Sequence, residues 1–131
     1  MRKHLVATLF LLASIPAWAT MEDALSEFNK GNYGAAIKEL NSLGDAGSVS
    51  AQIMLGALYN KGGAIPRNDK MAAAWFEKAA NQGNAEAQYQ LGNLYENSQL
   101  SKDYKAAANW YQKAAQQGSA KAQARLGGPR R

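Results

Sequence analysis

Apolar residues recur along this chain at helical intervals, and two stretches repeat the same intervals in the same order. The positions are i, i+4, i+7 and i+8 of residues 51–59 and of residues 87–95: Ala51, Leu55, Leu58 and Tyr59, then Ala87, Leu91, Leu94 and Tyr95. This spacing places the four side chains on one face of an α-helix. Each stretch is therefore predicted to be the first helix of a repeated unit.

A second helical stripe of small and aromatic residues follows each of these helices. Its members are Ala72, Trp75, Phe76, Ala79 and Ala80 in one unit and Ala107, Trp110, Tyr111, Ala114 and Ala115 in the other. Gly56 and Gly92 interrupt the two first helices at the same place. A glycine inside a helix costs about 1 kcal/mol relative to alanine, so its repetition indicates that a neighbouring helix approaches closely.

The ends of the second helices also repeat. Gly83 and Gly118 follow the last apolar residues and suit a left-handed helix stop. Asn84 and Ser119 come next and are expected to cap the following helices. A period in the mid-thirties with these features is typical of stacked helical repeats.

Shorter helical patterns flank the two full units. Upstream, a helical hairpin is predicted from two stripes: Met21, Ala24, Leu25 and Phe28, then Tyr33, Ala36, Ile37, Leu40 and Leu43. Downstream, residues 120–127 reproduce only the start of another unit, so the last helix is unpaired. The sequence predicts an all-α fold of about seven helices, with units at about 21–47, 48–83, 84–118 and a partial unit at 119–127.

The repeated motif resembles that of the Sel-1-like repeat family. Its pattern is A-Q-x-x-L-G-x-L-Y, a variable loop, then A-x-W-[FY]-x-K-A-A-x-Q-G. The resemblance implies a right-handed α-solenoid of antiparallel helix pairs, similar to tetratricopeptide arrays. It also implies that the first helices of the pairs line a concave face that binds a protein or peptide. The cysteine-stapled branch of the family is not matched, because the chain has no cysteine.

The N-terminus has the three parts of a secretory signal peptide. Arg2 and Lys3 precede an apolar stretch at residues 5–15 that is too short to span a bilayer, and Ala17 and Ala19 supply small residues before a cleavage site. Cleavage after Ala19 would leave residues 20–131 as a single repeat domain in the periplasm or outside the cell. No cysteine follows the apolar stretch, so we expect no lipid anchor after cleavage. The alternative is a buried first helix or a membrane anchor.

Composition argues against several classes of function. The formal charge of +5 falls to +3 without Arg2 and Lys3, and the charges are interspersed, so no nucleic-acid partner is expected. The single histidine, His4, lies in the signal peptide and there is no cysteine, which excludes Ser-His and Cys-His sites and ordinary zinc sites after cleavage. We expect no enzyme activity, no metal and no cofactor. Glu86 and Glu96 lie about 15 Å apart by helical rise, too far for a glycosidase pair.

Candidate binding residues lie beside the apolar stripes, where the two units differ. On the first helices they are Ser50, Ile53, Ala57 and Asn60, then Glu86, Tyr89, Asn93 and Glu96, with Lys121 and Arg125 on the last helix. Packing keeps the apolar stripes the same in both units, whereas a binding face that recognises one partner needs different residues in each unit. Tyr89 and Asn93 are the strongest candidates for contacting a partner, because they place an aromatic anchor beside an amide that can hydrogen-bond a peptide backbone. The alternative is that these are tolerant exposed positions.

Three hypotheses follow. The first is a periplasmic non-catalytic interaction module, either an adaptor or regulator of envelope assembly or an immunity protein that blocks a secreted toxin. The second is a cell-wall-directed enzyme that uses carboxylates such as Glu86, Glu96 and Asp103. The third is a self-assembling element that forms a homodimer through the unpaired C-terminal helix, which otherwise serves as a lid.

Overall fold

The computed structural model describes residues 20–97 and 102–127, which contain seven helices and no strand. The helices are α1 Met21–Asn29, α2 Tyr33–Asp45, α3 Val49–Lys61, α4 Asp69–Asn81, α5 Ala85–Asn97, α6 Tyr104–Gln116 and α7 Ala120–Arg125. The all-α prediction and the predicted number of helices are confirmed. The predicted signal peptide, the loop that begins at Asn97 and the C-terminal Arg130-Arg131 pair lie wholly or mainly outside the described residues.

The described residues form two compact units. The N-terminal unit, residues 20–55, contains α1, α2 and the start of α3, and α1 packs against α2. The C-terminal unit begins at Gly56, and in it α4 packs against α5, α5 against α6 and α6 against α7. The expectation of one domain over residues 20–131 stays a prediction.

One kind of turn is used three times, between α2 and α3, α4 and α5, and α6 and α7. A glycine in the left-handed region follows the helix that precedes each turn, with φ of +104°, +92° and +97° at Gly47, Gly83 and Gly118. The next side chain caps the following helix: Ser48, Asn84 and Ser119 accept from the N–H groups of Ala51, Ala87 and Ala122 at 3.2, 2.8 and 3.2 Å. The predicted helix stops and caps are therefore confirmed.

The glutamine of the Ala-Gln motif ties each helix to the one before it. The Nε2 groups of Gln52, Gln88 and Gln123 donate to carbonyl oxygens eight residues earlier, those of Gly44, Ala80 and Ala115, at 2.9, 3.2 and 3.3 Å. These carbonyls lie in the last turns of α2, α4 and α6, and each also accepts from the N–H of the glycine that ends the turn. The glutamine thus adds a second hydrogen bond at the helix end and ties the next helix to it.

The two glycines within helices allow aromatic rings to pack directly on the helix backbone. A Cβ added to Gly56 would lie 2.7 Å from the Phe76 ring, and one added to Gly92 would lie 2.8 Å from the Tyr111 ring and 3.2 Å from the Ala107 carbonyl oxygen. Such distances are far inside ordinary van der Waals contact. The close approach predicted from the repeated glycines is confirmed.

Most of the predicted stripe residues form the core, but several do not. Trp75, Phe76, Leu91 and Tyr111 are at most 6% exposed. The expectation that Trp110, Tyr59 and Tyr95 are core residues was wrong in part, because all three are only half-buried. Trp110 differs from Trp75 because α6 is followed by the six-residue α7, whereas α4 is followed by the thirteen-residue α5. Less surface therefore covers it, and Lys113 Nζ lies 4.6 Å from its ring centroid.

The N-terminal hairpin also leaves predicted stripe residues exposed. Leu25 is 40% and Tyr33 38% exposed, and the Tyr33 ring packs against Phe28 with centroids 4.9 Å apart. Ala24 is the buried residue of α1, and Leu25, one position further along the helix, turns about 100° away from it.

Glu39 is a buried carboxylate on α2. In the repeat alignment, Glu39 takes the place of Trp75 of the next unit. Glu39 is 8% exposed, and its Oε2 atom has no hydrogen-bond partner among the described residues. Burial raises the pKa of Glu39, and the negative charges of Asp23 and Glu27 raise it further. The ionised form is therefore disfavoured in the folded chain.

We expect Gly92→Ala to destabilise the chain by about 1–3 kcal/mol, because the new methyl group overpacks the Tyr111 ring and the Ala107 carbonyl. The loss outweighs the helix propensity gained from alanine, about 1 kcal/mol. Gly34→Ala is the matched control, since a Cβ at Gly34 meets nothing within 4 Å. Urea unfolding should show a neutral or stabilising effect for Gly34→Ala. Equal effects of the two substitutions would contradict the packing role of Gly92.

We expect Glu39→Met to raise the thermal unfolding midpoint at pH 7, because it removes a disfavoured buried charge. A pKa of Glu39 that is raised by folding means that the folded chain binds the proton more tightly, so stability falls as pH rises through the folded pKa. The gain should therefore shrink as pH falls through the raised folded pKa of Glu39, and it should be smallest below the usual glutamate pKa of about 4.3. Glu77→Met, the same change at an exposed helix position, is the control. A gain that is independent of pH would argue against this origin.

Candidate functional site

The candidate site is built on the exposed face of α5. Glu86, Tyr89, Asn93 and Glu96 are spaced by three, four and three residues, so they share one side of this helix. Glu86 is exposed and the other three are half-buried. The opposite side of α5 carries the buried Ala87, Leu91 and Leu94. The core therefore fixes the helix while its outer face stays open to a partner.

Glu96 is the centre of a cluster at the C-terminal end of α5. Its Oε1 atom accepts a 2.7 Å hydrogen bond from the Tyr111 hydroxyl of α6 and is also bonded by Arg125 Nη2 of α7. The Tyr89 and Tyr111 rings are 5.7 Å apart, Lys121 Nζ lies 5.8 Å from the Tyr89 ring, and the Arg125 guanidinium lies 5.7 Å from the Tyr111 ring. We call these five residues the tyrosine cluster. It joins three helices through aromatic and charged contacts.

Tyr111 is a hydrogen-bond donor in this cluster and stays protonated at physiological pH. Burial raises the pKa of its hydroxyl well above the ordinary tyrosine value, and the hydrogen bond to Glu96 raises it further. The hydroxyl therefore orients the Glu96 carboxylate. It is not available as a nucleophile or a base.

A second feature of the site is a small pocket of amide side chains. Its volume is about 80 Å³, and its lining residues are Asn60, Arg67, Gln90, Asn93, Leu94 and Asn97. We call it the amide pocket. All of its residues belong to the C-terminal unit, and Asn93 brings it next to the tyrosine cluster on α5.

Internal hydrogen bonds leave part of the amide pocket available for a ligand. Asn97 Nδ2 donates to Asn93 Oδ1 at 2.6 Å, and the Asn93 amide nitrogen makes no hydrogen bond among the described residues, so its two donors are available at the pocket that Asn93 lines. Asn60 Nδ2 donates to Asp69 Oδ1 at 3.3 Å, which leaves the Asn60 carbonyl oxygen as an acceptor. Donors and acceptors of this kind match the N–H and C=O groups of a peptide.

One wall of the pocket is held by an ion pair between the buried Asp69 and the half-exposed Arg67. Arg67 Nε and Nη2 donate to the two oxygens of Asp69 at 3.0 and 2.9 Å, and Asp69 is 8% exposed. Hydrogen bonding to Asp69 raises the pKa of Arg67, so this guanidinium stays charged. The loop between α3 and α4 is thereby fixed beside Asn60.

The structure brings together some of the sequence-predicted site residues and separates others. Tyr89, Glu96, Lys121 and Arg125 meet in the tyrosine cluster, and Asn60 and Asn93 line the amide pocket. Glu86 accepts a 2.7 Å bond from Gln90, and Ala57 is exposed on α3. Ile53 and Ser50 belong to the N-terminal unit, whereas the residues of both features belong to the C-terminal unit.

Sequence reasoning missed Tyr111, Arg67, Gln90 and Asn97. Tyr111 was assigned to the core, which is correct for its ring, but its hydroxyl belongs to the site. One signal was present in the sequence: Phe76 and Asn60 of the first unit become Tyr111 and Glu96 in the second, a paired change that adds a donor and an acceptor together.

Neither a cluster of metal-ligating side chains nor a membrane-spanning helix is found among the described residues. No group of three His, Cys, Asp or Glu side chains in this part of the chain is placed to hold a metal ion. Over the same residues, no helix has both the length and the apolar character needed to cross a bilayer.

A comparison with protein-family models identifies the repeats. The model of the Sel1 repeat matches residues 49–84 and 85–119. No curated protein is significantly similar to the chain.

Solved structures with the same fold include two at 35% identity. A Sel1 repeat protein from Oxalobacter formigenes has a TM-score of 0.71 over 82% of this chain. The protein c5321, a protective antigen of uropathogenic Escherichia coli with an SLR fold, has a TM-score of 0.66 over 70% of this chain. This chain spans only 45% and 20% of the lengths of those two proteins.

A third solved structure supports the fold alone. Helicobacter pylori cysteine rich protein B has a TM-score of 0.62 at 18% identity, with 82% of this chain and 97% of that protein covered. Because two matched repeats occupy more than half of the sequence, this chain belongs to the Sel1 repeat family.

Proposed function

We propose that this protein is an exported, non-catalytic module that binds a protein or peptide partner on the outer face of α5. Sel1 repeats generally mediate protein–protein interaction. The observation that carries the proposal is that one helix joins an aromatic and charged cluster to a pocket with uncommitted amide groups. Both features lie at positions where the two repeats differ.

The two features suit different parts of a protein ligand. Tyr89 is half-buried, so its ring is held in place while part of it stays open for an apolar or cationic side chain. The amide pocket offers a donor from Asn93 and an acceptor from Asn60, which suits the main chain of an extended peptide. Tyr89 and Asn93 are four residues apart on α5 and therefore adjacent on its surface.

The carboxylates named for an enzyme are already engaged in structural contacts. Glu96 accepts from Tyr111 and Arg125, Glu86 accepts from Gln90, and Asp103 caps α6 by accepting from the Ala106 N–H at 3.0 Å. A general acid or base needs a free lone pair or proton directed at a substrate. These contacts favour binding over cell-wall hydrolysis.

Export is proposed from residues 1–19, which combine a basic start, a short apolar stretch and small residues before Thr20. Thr20 is also the N-cap of α1, and its hydroxyl oxygen accepts from the Asp23 N–H at 3.1 Å. Cleavage after Ala19 would thus leave the whole of the first helix and its cap intact. The exported chain would act in the periplasm or outside the cell.

Two biological roles fit such a module. It acts either as an adaptor or regulator of envelope assembly or as an immunity protein that blocks a secreted toxin. The identity of the bound partner separates them, because an envelope assembly factor and a toxin are different classes of protein.

We expect Tyr89→Ala with Asn93→Ala to weaken partner binding about tenfold or more, because the pair supplies an aromatic anchor and a directed hydrogen bond. The chain from Thr20 onward is used to capture proteins from the periplasm of the source organism. Affinity is then measured by calorimetry with the purified partner.

The control for that experiment is Lys70→Ala with Glu77→Ala, two exposed positions of α4 outside both features of the site. Circular dichroism checks that both double variants are folded. Equal affinity of the Tyr89/Asn93 variant and the unaltered chain would reject this site. Turnover of peptidoglycan by the purified chain, lost on a carboxylate substitution, would favour the enzyme hypothesis instead.

We expect the protein in the periplasmic or culture fraction to begin at Thr20, as measured by intact mass. Ala19→Arg should block processing and leave a product longer by residues 1–19, because a large charged residue does not fit the small-residue cleavage site. A cytoplasmic product that keeps residues 1–19 would contradict the proposed export.

A further inference from the structure

Three side-chain amides of the amide pocket keep their oxygen atoms free. Each commits its nitrogen to a neighbouring side chain instead: Asn60 Nδ2 to Asp69 Oδ1 at 3.3 Å, Gln90 Nε2 to Glu86 Oε2 at 2.7 Å, and Asn97 Nδ2 to Asn93 Oδ1 at 2.6 Å. The oxygens of Asn60, Gln90 and Asn97 accept no hydrogen bond among the described residues. The pocket therefore offers three amide oxygens as acceptors.

Donors are fewer at this pocket. Asn93 Nδ2 makes no hydrogen bond among the described residues, whereas the Asn93 oxygen already accepts from Asn97. Arg67 adds its Nη1 group, since its Nε and Nη2 atoms are bonded to Asp69. A ligand group that satisfies this pocket brings N–H donors for the three oxygens and an oxygen acceptor for Asn93 and Arg67.

Charge and size restrict the ligand group further. Arg67 is the charged residue among the described lining residues, and its charge is balanced by Asp69, whose two oxygens it binds. The volume of about 80 Å³ has room for a few heavy atoms and not for a stretch of main chain. Leu94, the apolar lining residue, is 5% exposed and belongs to the core, so this wall is fixed. A small neutral group at the end of a side chain fits these limits.

The amides that α5 contributes are specific to the second repeat. In the repeat alignment, Gln90 and Asn93 take the places of Met54 and Ala57. The repeat packs in both units with either set of residues, so the fold does not require amides at these positions. Their presence beside uncommitted acceptors therefore favours a role in binding.

We propose that the amide pocket binds the primary carboxamide of an asparagine or glutamine side chain of the protein partner. This inference rests on the proposed function and names the chemical group that the pocket receives. The NH₂ group of a carboxamide donates to two of the three free oxygens. Its carbonyl oxygen accepts from Asn93 Nδ2 and Arg67 Nη1.

Other ligand groups match the pocket less well. A main-chain amide has one N–H and uses only one of the three oxygens. A carboxylate has no donor and places its charge against those oxygens, whereas an ammonium group has no acceptor for Asn93 and meets the Arg67 charge. Each mismatch leaves a polar group of the pocket without a partner, which lowers affinity.

The experiment is an NMR titration of the isotope-labelled chain from Thr20 onward with N-acetyl, N-methylamide derivatives of single amino acids. Glutamine, asparagine, glutamate, methionine and alanine derivatives share their main-chain amides and differ only in the side chain. The glutamine or asparagine probe should shift the side-chain NH₂ signals of Asn60, Gln90 and Asn93 saturably. Its affinity should exceed that of the other three probes about fivefold or more, as expected for the loss of one hydrogen bond.

Two variants and a control test the assignment to this pocket. Asn93→Leu removes the free donor at similar size, and Gln90→Met removes one acceptor at similar length. Each should weaken binding of the preferred probe, with the larger loss for Asn93→Leu. Asn109→Leu, the same change at an exposed position of α6 outside the pocket, should leave the titration unaltered. Circular dichroism checks that all three variants are folded.

Four outcomes would overturn the proposal. They are no saturable shift with any probe, equal affinity for the alanine probe, a preference for the glutamate probe, and an equal loss in the Asn109 control. Equal binding of the alanine probe would assign the pocket to main-chain amides, and a glutamate preference would assign it to an acidic group. Partner capture by the unaltered chain, and its weakening by Tyr89→Ala, are measured without these probes. A chain that captures its partner but shows no probe preference therefore keeps the proposed function and rejects this inference alone.

Discussion

The contact between an aromatic ring and a helical glycine sets the geometry of the C-terminal unit. Phe76 lies against Gly56, and Tyr111 lies against Gly92 with the Ala107 carbonyl close by. Because the ring meets the backbone without an intervening side chain, the distance between the two helices is fixed by hard contacts. The position of every residue on the outer face of α5 follows from this packing, since Gly92 lies on the same helix as Tyr89, Asn93 and Glu96.

Tyr111 links this packing to the candidate site. Its ring fills the space over Gly92, and its hydroxyl reaches Glu96 at 2.7 Å. The equivalent Phe76 fills the same space over Gly56 but has no hydroxyl, and Asn60, the counterpart of Glu96, instead donates to Asp69. The two repeats thus keep one packing arrangement and differ in the polar contacts at its edge. This is how a repeat can hold its fold constant while each copy presents a different surface.

The sequence predicted the parts of the fold that depend on residues near one another in the chain. Helix stops at Gly83 and Gly118 and caps at Asn84 and Ser119 follow from local rules of backbone geometry. The close approach at Gly92 was predicted in another way, from the repetition of a glycine inside a helix. The contact between Glu96 and Arg125 does not, because it joins residues 29 positions apart and depends on where α7 is placed. The burial of Glu39 was not predicted either, since a glutamate on a helix is usually exposed, although its alignment with the buried Trp75 was a signal for it.

Two cations of the site, Lys121 and Arg125, lie on α7, the shortest helix of the described chain. α7 has six residues and buries only Ala122, and so short a helix is not stable by itself. It is held by the cap at Ser119, the Gln123 bond to the Ala115 carbonyl and the contact of Arg125 with Glu96. Arg125 and Glu96 are both about one-third exposed, and ion pairs of that kind contribute about 0.2–1 kcal/mol. Lys121 and Arg125 are therefore less firmly positioned than Tyr89 and Asn93, which α5 holds through its buried face. A partner that contacts all four would gain most of its orientation from α5, and the cations of α7 would adjust to it.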